Sequence, residues 1–201
     1  MRSIAAGLFI SLDGVVESPG EWGFQFMNDE MSQAIAEGIS QADTVLLGRL
    51  TYLEFAQLWP GQGSDVLMAD FLNHSPKYVV SSKLDAFSWQ PAFQIKGDIV
   101  AQLTQLKQQP GKNIQVPGSP SLIRFLLLNK LLDVLSLNIC PVLVGTGMRL
   151  FDKTTSMLNL KLVHSSIMST GVIGATYSPL DSGTQPAPAA GFPHAAVGEE
   201  H

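Results

Sequence analysis

The sequence predicts one α/β domain with a largely parallel sheet, on three observations. Apolar runs of strand length alternate with segments of helical periodicity, the order that β-α-β units impose. The chain has 201 residues, enough for one domain with a sizeable core. Hydrophobic residues make up 45% and charged residues only 14%, against roughly 25% charged in an average soluble domain, which argues against long disorder in the body.

The first strand is expected at residues 3–11, closed by Asp13-Gly14. A helix follows at 29–42, with Met31, Ile35 and Ile39 on one face. The second strand, 44–47, is a continuous apolar run of the buried kind, and Gly48 opens a helix running through Glu54 and Phe55. Strands at 78–81 and 113–116 bracket a helix at 98–109, whose Ile99, Leu103 and Leu106 share a face between an Asp98 N-cap and a Pro110-Gly111 stop. Ser119 is expected to cap a helix at 119–129, with Pro120 at its first position, where a missing N–H costs nothing. A strand is expected at 134–143, and 161–178 alternates as an antiparallel pair around Thr170-Gly171. Residues 181–201 hold three Pro, five Ala and three Gly, with Phe192 and Val197 as the only larger apolar groups. The domain is therefore expected to span 1–180, and 181–201 to be a flexible Pro/Ala/Gly-rich tail.

Twelve Lys and Arg against seventeen Asp and Glu give a formal charge of −5, which argues against a broad basic surface for nucleic acid or anionic lipid. A local anion site remains compatible with that charge. No apolar run approaches the roughly 18 residues of a membrane span. The apolar stretch behind Arg2 ends at Asp13-Gly14 without a small-residue cleavage site, so it reads as a strand and the protein as cytoplasmic. Cys140, the single cysteine, lies in an apolar stretch and reads as a small buried hydrophobe. His74, His164, His194 and His201 are scattered without metal-ligand spacing, so no metal is expected. No Gly-x-Ser-x-Gly elbow supports a hydrolase.

Three strand-to-helix turns carry residues suited to phosphate. Gly48-Arg49-Leu50-Thr51-Tyr52 follows a buried strand and opens a helix, whose first amides and dipole favour an anion. Ser81-Ser82-Lys83 sets two hydroxyls and an ammonium at the carboxyl end of a strand, where open α/β sheets bind ligands. Val116-Pro117-Gly118-Ser119-Pro120-Ser121-Leu122 is again strand, tight turn and helix, without the Gly-Lys-Ser/Thr ending of a P-loop. Each alone reads equally as a structural turn; three in one domain suggest a dinucleotide laid across the sheet edge. A fourth segment, Val144-Gly145-Thr146-Gly147-Met148-Arg149-Leu150-Phe151, allows close approach of a flat ligand or another backbone.

These motifs, in this order, resemble the dihydrofolate reductase superfamily, and within it the reductase domain of the bifunctional riboflavin-biosynthesis deaminase-reductase. The resemblance rests on Ser11-Leu12-Asp13-Gly14, residues 43–52, Val80-Ser81-Ser82-Lys83, Val116-Pro117-Gly118-Ser119 with Leu122, and residues 141–147 with Arg149-Leu150-Phe151, and covers 3–178. It implies a dihydrofolate reductase-like fold, with a central mixed, mostly parallel sheet and helices on both faces. It also implies an NADPH-dependent reductase passing hydride to a small heterocycle, as in 5-amino-6-(5-phosphoribosylamino)uracil reductase or dihydrofolate reductase. Gly48, Arg49 and Thr51 would then meet the cofactor phosphates, Ser81, Ser82 and Lys83 the adenosine 2′-phosphate, and Gly118, Ser119 and Leu122 the pyrophosphate and its surroundings. Gly145 and Gly147 would flank the nicotinamide, and the resemblance also favours a homodimer.

On the substrate side, Asp13 and Asp29 are the candidate acids, and Trp22 and Glu30 the candidate substrate contacts. Asp13 reads equally as an Asp-Gly turn, and Asp29 and Glu30 as acids stabilising a helix start. Trp22, Phe24 and Phe26 suit stacking on a planar ring as well as core packing. No His/Cys zinc motif supports deamination. The alternative function is a non-catalytic NADP(H)-binding module or sensor, which predicts binding without substrate-dependent oxidation.

Overall fold

The computed structural model describes residues 1–84, 86–151 and 157–180; the proposed tail lies outside the described residues. The strands are β1 (Ile4–Ser11), β2 (Ala42–Gly48), β3 (Lys77–Val80), β4 (Ala92–Ile95), β5 (Asn113–Val116), β6 (Val134–Cys140), β7 (Leu160–Ile167) and β8 (Ile173–Pro179). They form one sheet in the order β4-β3-β2-β5-β1-β6-β8-β7. β1 to β6 pair in parallel, and β8 runs antiparallel to both β6 and β7. The helices are α1 (Pro19–Trp22), α2 (Asp29–Ser40), α3 (Arg49–Leu58), α4 (Ala69–His74), α5 (Ile99–Gln108) and α6 (Pro120–Leu128).

The expected mostly parallel sheet with helices on both faces is thus the architecture. Val45, Leu46 and Leu47 of β2 are fully buried, as a strand covered on both faces requires. Asn28 and Asp98 cap α2 and α5, each side chain accepting a backbone N–H three residues on at 2.9 Å. The 161–178 pair is present, turning through Gly171, whose N–H donates to Met168 O at 2.9 Å. Most element ends shift from expectation by a residue or two, and two of the shifts have a visible cause. β6 stops at Cys140 because Pro141 brings no N–H to the ladder. α2 stops at Ser40, and Ala42 already belongs to β2. α1, α4 and β4 are additions, all of six residues or fewer.

The two faces of the sheet are built differently, and the difference positions the site. Under α5 and α6 runs one continuous core, in which Ile4, Ala6, Ile114 and Val116 meet Leu103, Leu106, Ile123 and Leu126. The α2/α3 face instead carries two separate clusters. One joins Val45, Leu47 and Val79 to Tyr52, Leu72 and Trp89; the other joins Trp22 and Met31 to Cys140, Met168 and Val172. Between them lies a cleft floored by the sheet. At the amino edge, Arg2 pairs with Asp43 and Thr44 and donates to Lys112 O at 2.6 Å, and Lys107 meets Asp133 at 2.6 Å. That edge is tied by ion pairs, while the carboxyl edge carries the loops.

Candidate functional site

Because β3, β2, β5, β1 and β6 are parallel neighbours, the loops leaving their carboxyl ends line up along one edge. In spatial order these loops carry Ser81-Ser82-Lys83, Gly48-Arg49, Gly118-Ser119, Asp13-Gly14 and Gly145-Thr146-Gly147. At about 4.8 Å per strand the row extends roughly 19 Å. Motifs scattered through the sequence therefore become one line.

Ser119 joins two of these loops. It occupies the N-cap position of α6, but with φ of 66° its hydroxyl makes no cap bond to its own helix. The hydroxyl instead accepts from Gly48 N at 2.8 Å and donates to Thr51 Oγ1 at 2.7 Å. The starts of α3 and α6 are thereby drawn together, and their first-turn amides converge on one region of positive field. Space there is tight: a Cβ on Gly48 would sit 3.0 Å from Ser119 Oγ, and one on Gly118, at φ of 151°, would sit 3.3 Å from Thr51 Cγ2. Leu122 is buried beneath the junction. Arg49 is half-buried, lines the cleft, and forms no ion pair or hydrogen bond among the described residues.

At the end of β3, Ser81 is buried, and its hydroxyl oxygen accepts from the N–H groups of Lys83 and Leu84, each at 3.1 Å. Gln94 braces the turn by donating to Ser81 O and Leu84 O. Ser81 therefore shapes the turn, and the exposed Ser82 and Lys83 are presented by it.

The β1 and β6 loops are clasped by two carboxylates. Asp13 accepts from Val144 N at 3.0 Å, Gly145 N at 2.8 Å and the Ser11 hydroxyl at 2.6 Å, and faces Arg149 at 3.4 Å. Glu17 accepts from Met148 N at 2.7 Å, and Val16 N donates to Met148 O at 2.9 Å. The Ser11 hydroxyl, then the Val144 and Gly145 amides, hold the Asp13 carboxyl well below the usual carboxylate range. Glu30 has a similar occupation: the Ser169 N–H at 2.7 Å, followed by the Asn28 amide and the Ser169 hydroxyl, lowers its pKa and pins α2 to the β7–β8 turn. Asp29 is exposed on the first turn of α2.

The cleft itself encloses about 1780 Å³, beyond the roughly 300–1,000 Å³ of a single small-ligand pocket. One wall comes from α2 through Ile35 and Ile39, and the other from α3 through Leu50, Glu54 and Leu58, with Trp59 just past its end. Among the aromatics, Phe24 lines it, 57% exposed and edge-on to Phe9 at 5.7 Å. Trp22 does not: it is buried, and its indole N–H donates to Glu17 O at 2.8 Å. Sequence reasoning missed Glu17 and the polar residues of the floor, Gln115, Ser136, Asn138 and Thr176. A visible signal existed for Gln115, a polar residue within the buried strand run Asn113–Val116.

Comparison with known proteins fits this geometry. Uncharacterized protein YyaP of Bacillus subtilis (strain 168) is 31% identical over 180 residues, 88% of this chain and 94% of that one. The crystal structure of a putative riboflavin biosynthesis protein from Shewanella sp. PV-4 matches with a TM-score of 0.70 at 22% identity, over 90% of this chain and 99% of that one. Dihydrofolate reductase from Enterococcus faecalis, complexed with NADP(H) and RAB-propyl, matches with a TM-score of 0.59 at 14% identity, over 89% of this chain and 97% of that one. The fold is therefore dihydrofolate reductase-like. The family model of the RibD C-terminal domain covers residues 2–173, and the chain belongs to that family.

Proposed function

We propose that the protein is an NADPH-dependent reductase that transfers hydride to a small heterocyclic acceptor, working as a cytoplasmic homodimer. The observation that carries this reading is the convergence of the α3 and α6 N-termini at the Ser119 tie, beside Arg49, which has no partner among the described residues. That arrangement suits a pyrophosphate, and the neighbouring Ser82 and Lys83 suit a 2′-phosphate. Gly48, Arg49, Thr51, Gly118 and Ser119 would hold the phosphates over Leu122, and Ser81 would present Ser82 and Lys83. Gly145 and Gly147 would border the nicotinamide. The cofactor supplies the hydride when bound; the chain orients it and the acceptor in one cleft.

Within this reading Asp13 positions the Gly145–Gly147 loop, since its oxygens are engaged and it stays ionised at neutral pH. Asp29 and Glu30 hold the start of α2. Trp22 supports the cleft from beneath and Phe24 faces the acceptor. Self-association is supported by the outer hairpin, where Leu162, Ile167 and Ile173 are 50%, 83% and 41% exposed.

The test is a fluorescence titration of NADPH and NADH at fixed salt. NADPH is expected to bind at least tenfold more tightly, with the preference lost in the double variant Ser82→Ala, Lys83→Ala and affinity for both nucleotides lost in Arg49→Ala. Failure of both nucleotides to bind overturns the reading, and binding without oxidation by any heterocyclic acceptor points to a sensor module.

A further inference from the structure

The turn that follows β3 is held from the side by the edge strand β4. Gln94 lies opposite Val79 in the parallel β3–β4 ladder, level with the last residues before the turn. Three bonds join the turn to β4. Ser81 N donates to Ile95 O at 3.1 Å, and the Gln94 side-chain nitrogen donates to Ser81 O at 3.0 Å and to Leu84 O at 2.7 Å. An amide nitrogen carries two hydrogens, and both are used here; because both neighbours are carbonyls, only the nitrogen end of the Gln94 amide fits. Gln94 is half-buried, and its strand is closed at the start by Gln90, whose Oε1 accepts from Ala92 N at 2.8 Å.

The polar groups of the turn fall into two sets. Ser81 Oγ takes the N–H groups of Lys83 and Leu84, and Gln94 takes the Ser81 and Leu84 carbonyls. Left over on the side chains are the Ser82 hydroxyl and the Lys83 ammonium, both exposed and neither bonded among the described residues. A carbonyl oxygen carries partial negative charge, so one turned toward a phosphate opposes it where a hydroxyl or ammonium attracts it. By tying two carbonyls to β4, Gln94 leaves donors to face outward. Ser81 cannot do this, since its hydroxyl engages N–H groups and does nothing for the carbonyls.

We propose that Gln94 is a positioning residue that sets the choice between NADPH and NADH: by drawing the Ser81 and Leu84 carbonyls aside, it makes the Ser82-Lys83 turn a receptor for a phosphate monoester. This rests on the reductase reading and deepens it, naming a residue outside the turn on which the preference depends. The test is fluorescence titration of the full chain with NADPH and NADH at fixed salt, in the wild type, Gln94→Met and Gln94→Glu. Met keeps the length of the side chain and donates nothing; Glu keeps its shape and turns an acceptor toward both carbonyls. The ratio of the two affinities is the readout, because general damage to the fold weakens both nucleotides alike. From at least tenfold in favour of NADPH in the wild type, the ratio is expected to fall below threefold in Gln94→Met and below twofold in Gln94→Glu, with NADH affinity within twofold of the wild type in both. A check that needs no variant is the side-chain NH₂ signal of Gln94 in ¹⁵N spectra, expected to move at least twice as far with NADPH as with NADH. A preference kept in both variants, both nucleotides weakened in proportion, or an equal response of the Gln94 signal overturns the inference and leaves the reductase reading standing. A wild type that binds both nucleotides equally overturns it together with the assignment of the 2′-phosphate to Ser82 and Lys83. A wild type that binds neither fails the reductase reading itself.

Discussion

Lys77 is fully buried at the start of β3, with its ammonium donating to the carbonyls of Asn73, Ser75 and Gln90 and lying 4.3 Å above the Trp89 ring. No ion pair with a carboxylate offsets its burial among the described residues, and desolvation lowers its pKa to about 8. The fold therefore favours the neutral amine relative to the unfolded chain, where lysine titrates near ~10.4. Stability from this group should appear as pH rises through about 8 and level off above the unfolded value. Melting curves at pH 7.5, 9 and 10 are expected to show this upward contribution in the wild type and its loss in Lys77→Met. Cys140 is the opposite case: burial raises its thiol to about 11, so iodoacetamide should label it only on unfolding. Its burial was legible, because an apolar stretch surrounds it. The role of Lys77 was not, because a single lysine between Pro76 and Tyr78 looks like any surface charge until the fold closes over it.

At the scale of elements, single side chains tie together segments far apart in sequence. Ser119→Ala would leave the partly buried Gly48 N–H without its acceptor, at a cost toward the lower end of the about 1–3 kcal/mol of an unsatisfied buried donor. Chemical denaturation should register that loss, and NADPH affinity should fall with it because the α3 start is released. Asp13→Asn should unfasten residues 141–149, since an amide cannot accept from both Val144 N and Gly145 N as the carboxylate does. Hydrogen exchange at those two amides is expected to accelerate at least tenfold, while the pH dependence of turnover between pH 5 and 9 keeps its shape. The sequence located Ser119 at a helix start and Asp13 in a turn, both correctly. The direction of the Ser119 hydroxyl depends on a left-handed φ and a partner 71 positions away, and spacing along the chain encodes neither.

For the whole molecule, the parallel strands other than β4 were legible because each is an apolar run followed by glycine or a polar turn, and the fold class followed. The strand order was not, since it is set by which helix covers which face. β4 escaped because a four-residue edge strand with an exposed Phe93 carries little burial signal. At the other edge, the hairpin exposes Ile167 at 83%, an apolar side chain on a strand with an unpaired edge. Light scattering is expected to find a dimer for the wild type and a monomer for Ile167→Lys, with NADPH affinity retained.

The clasp between the β1 and β6 loops bears on how such a domain can be rebuilt. Val144, Gly145 and Met148 offer their amides to acids that lie some 130 positions earlier in the chain. The two loops are thus one interchangeable part encoded in two places. Transplanting residues 141–149 into a related scaffold without residues 11–17 would deliver the glycines and leave behind the carboxylates that give them shape, so a chimera must carry both halves to inherit either.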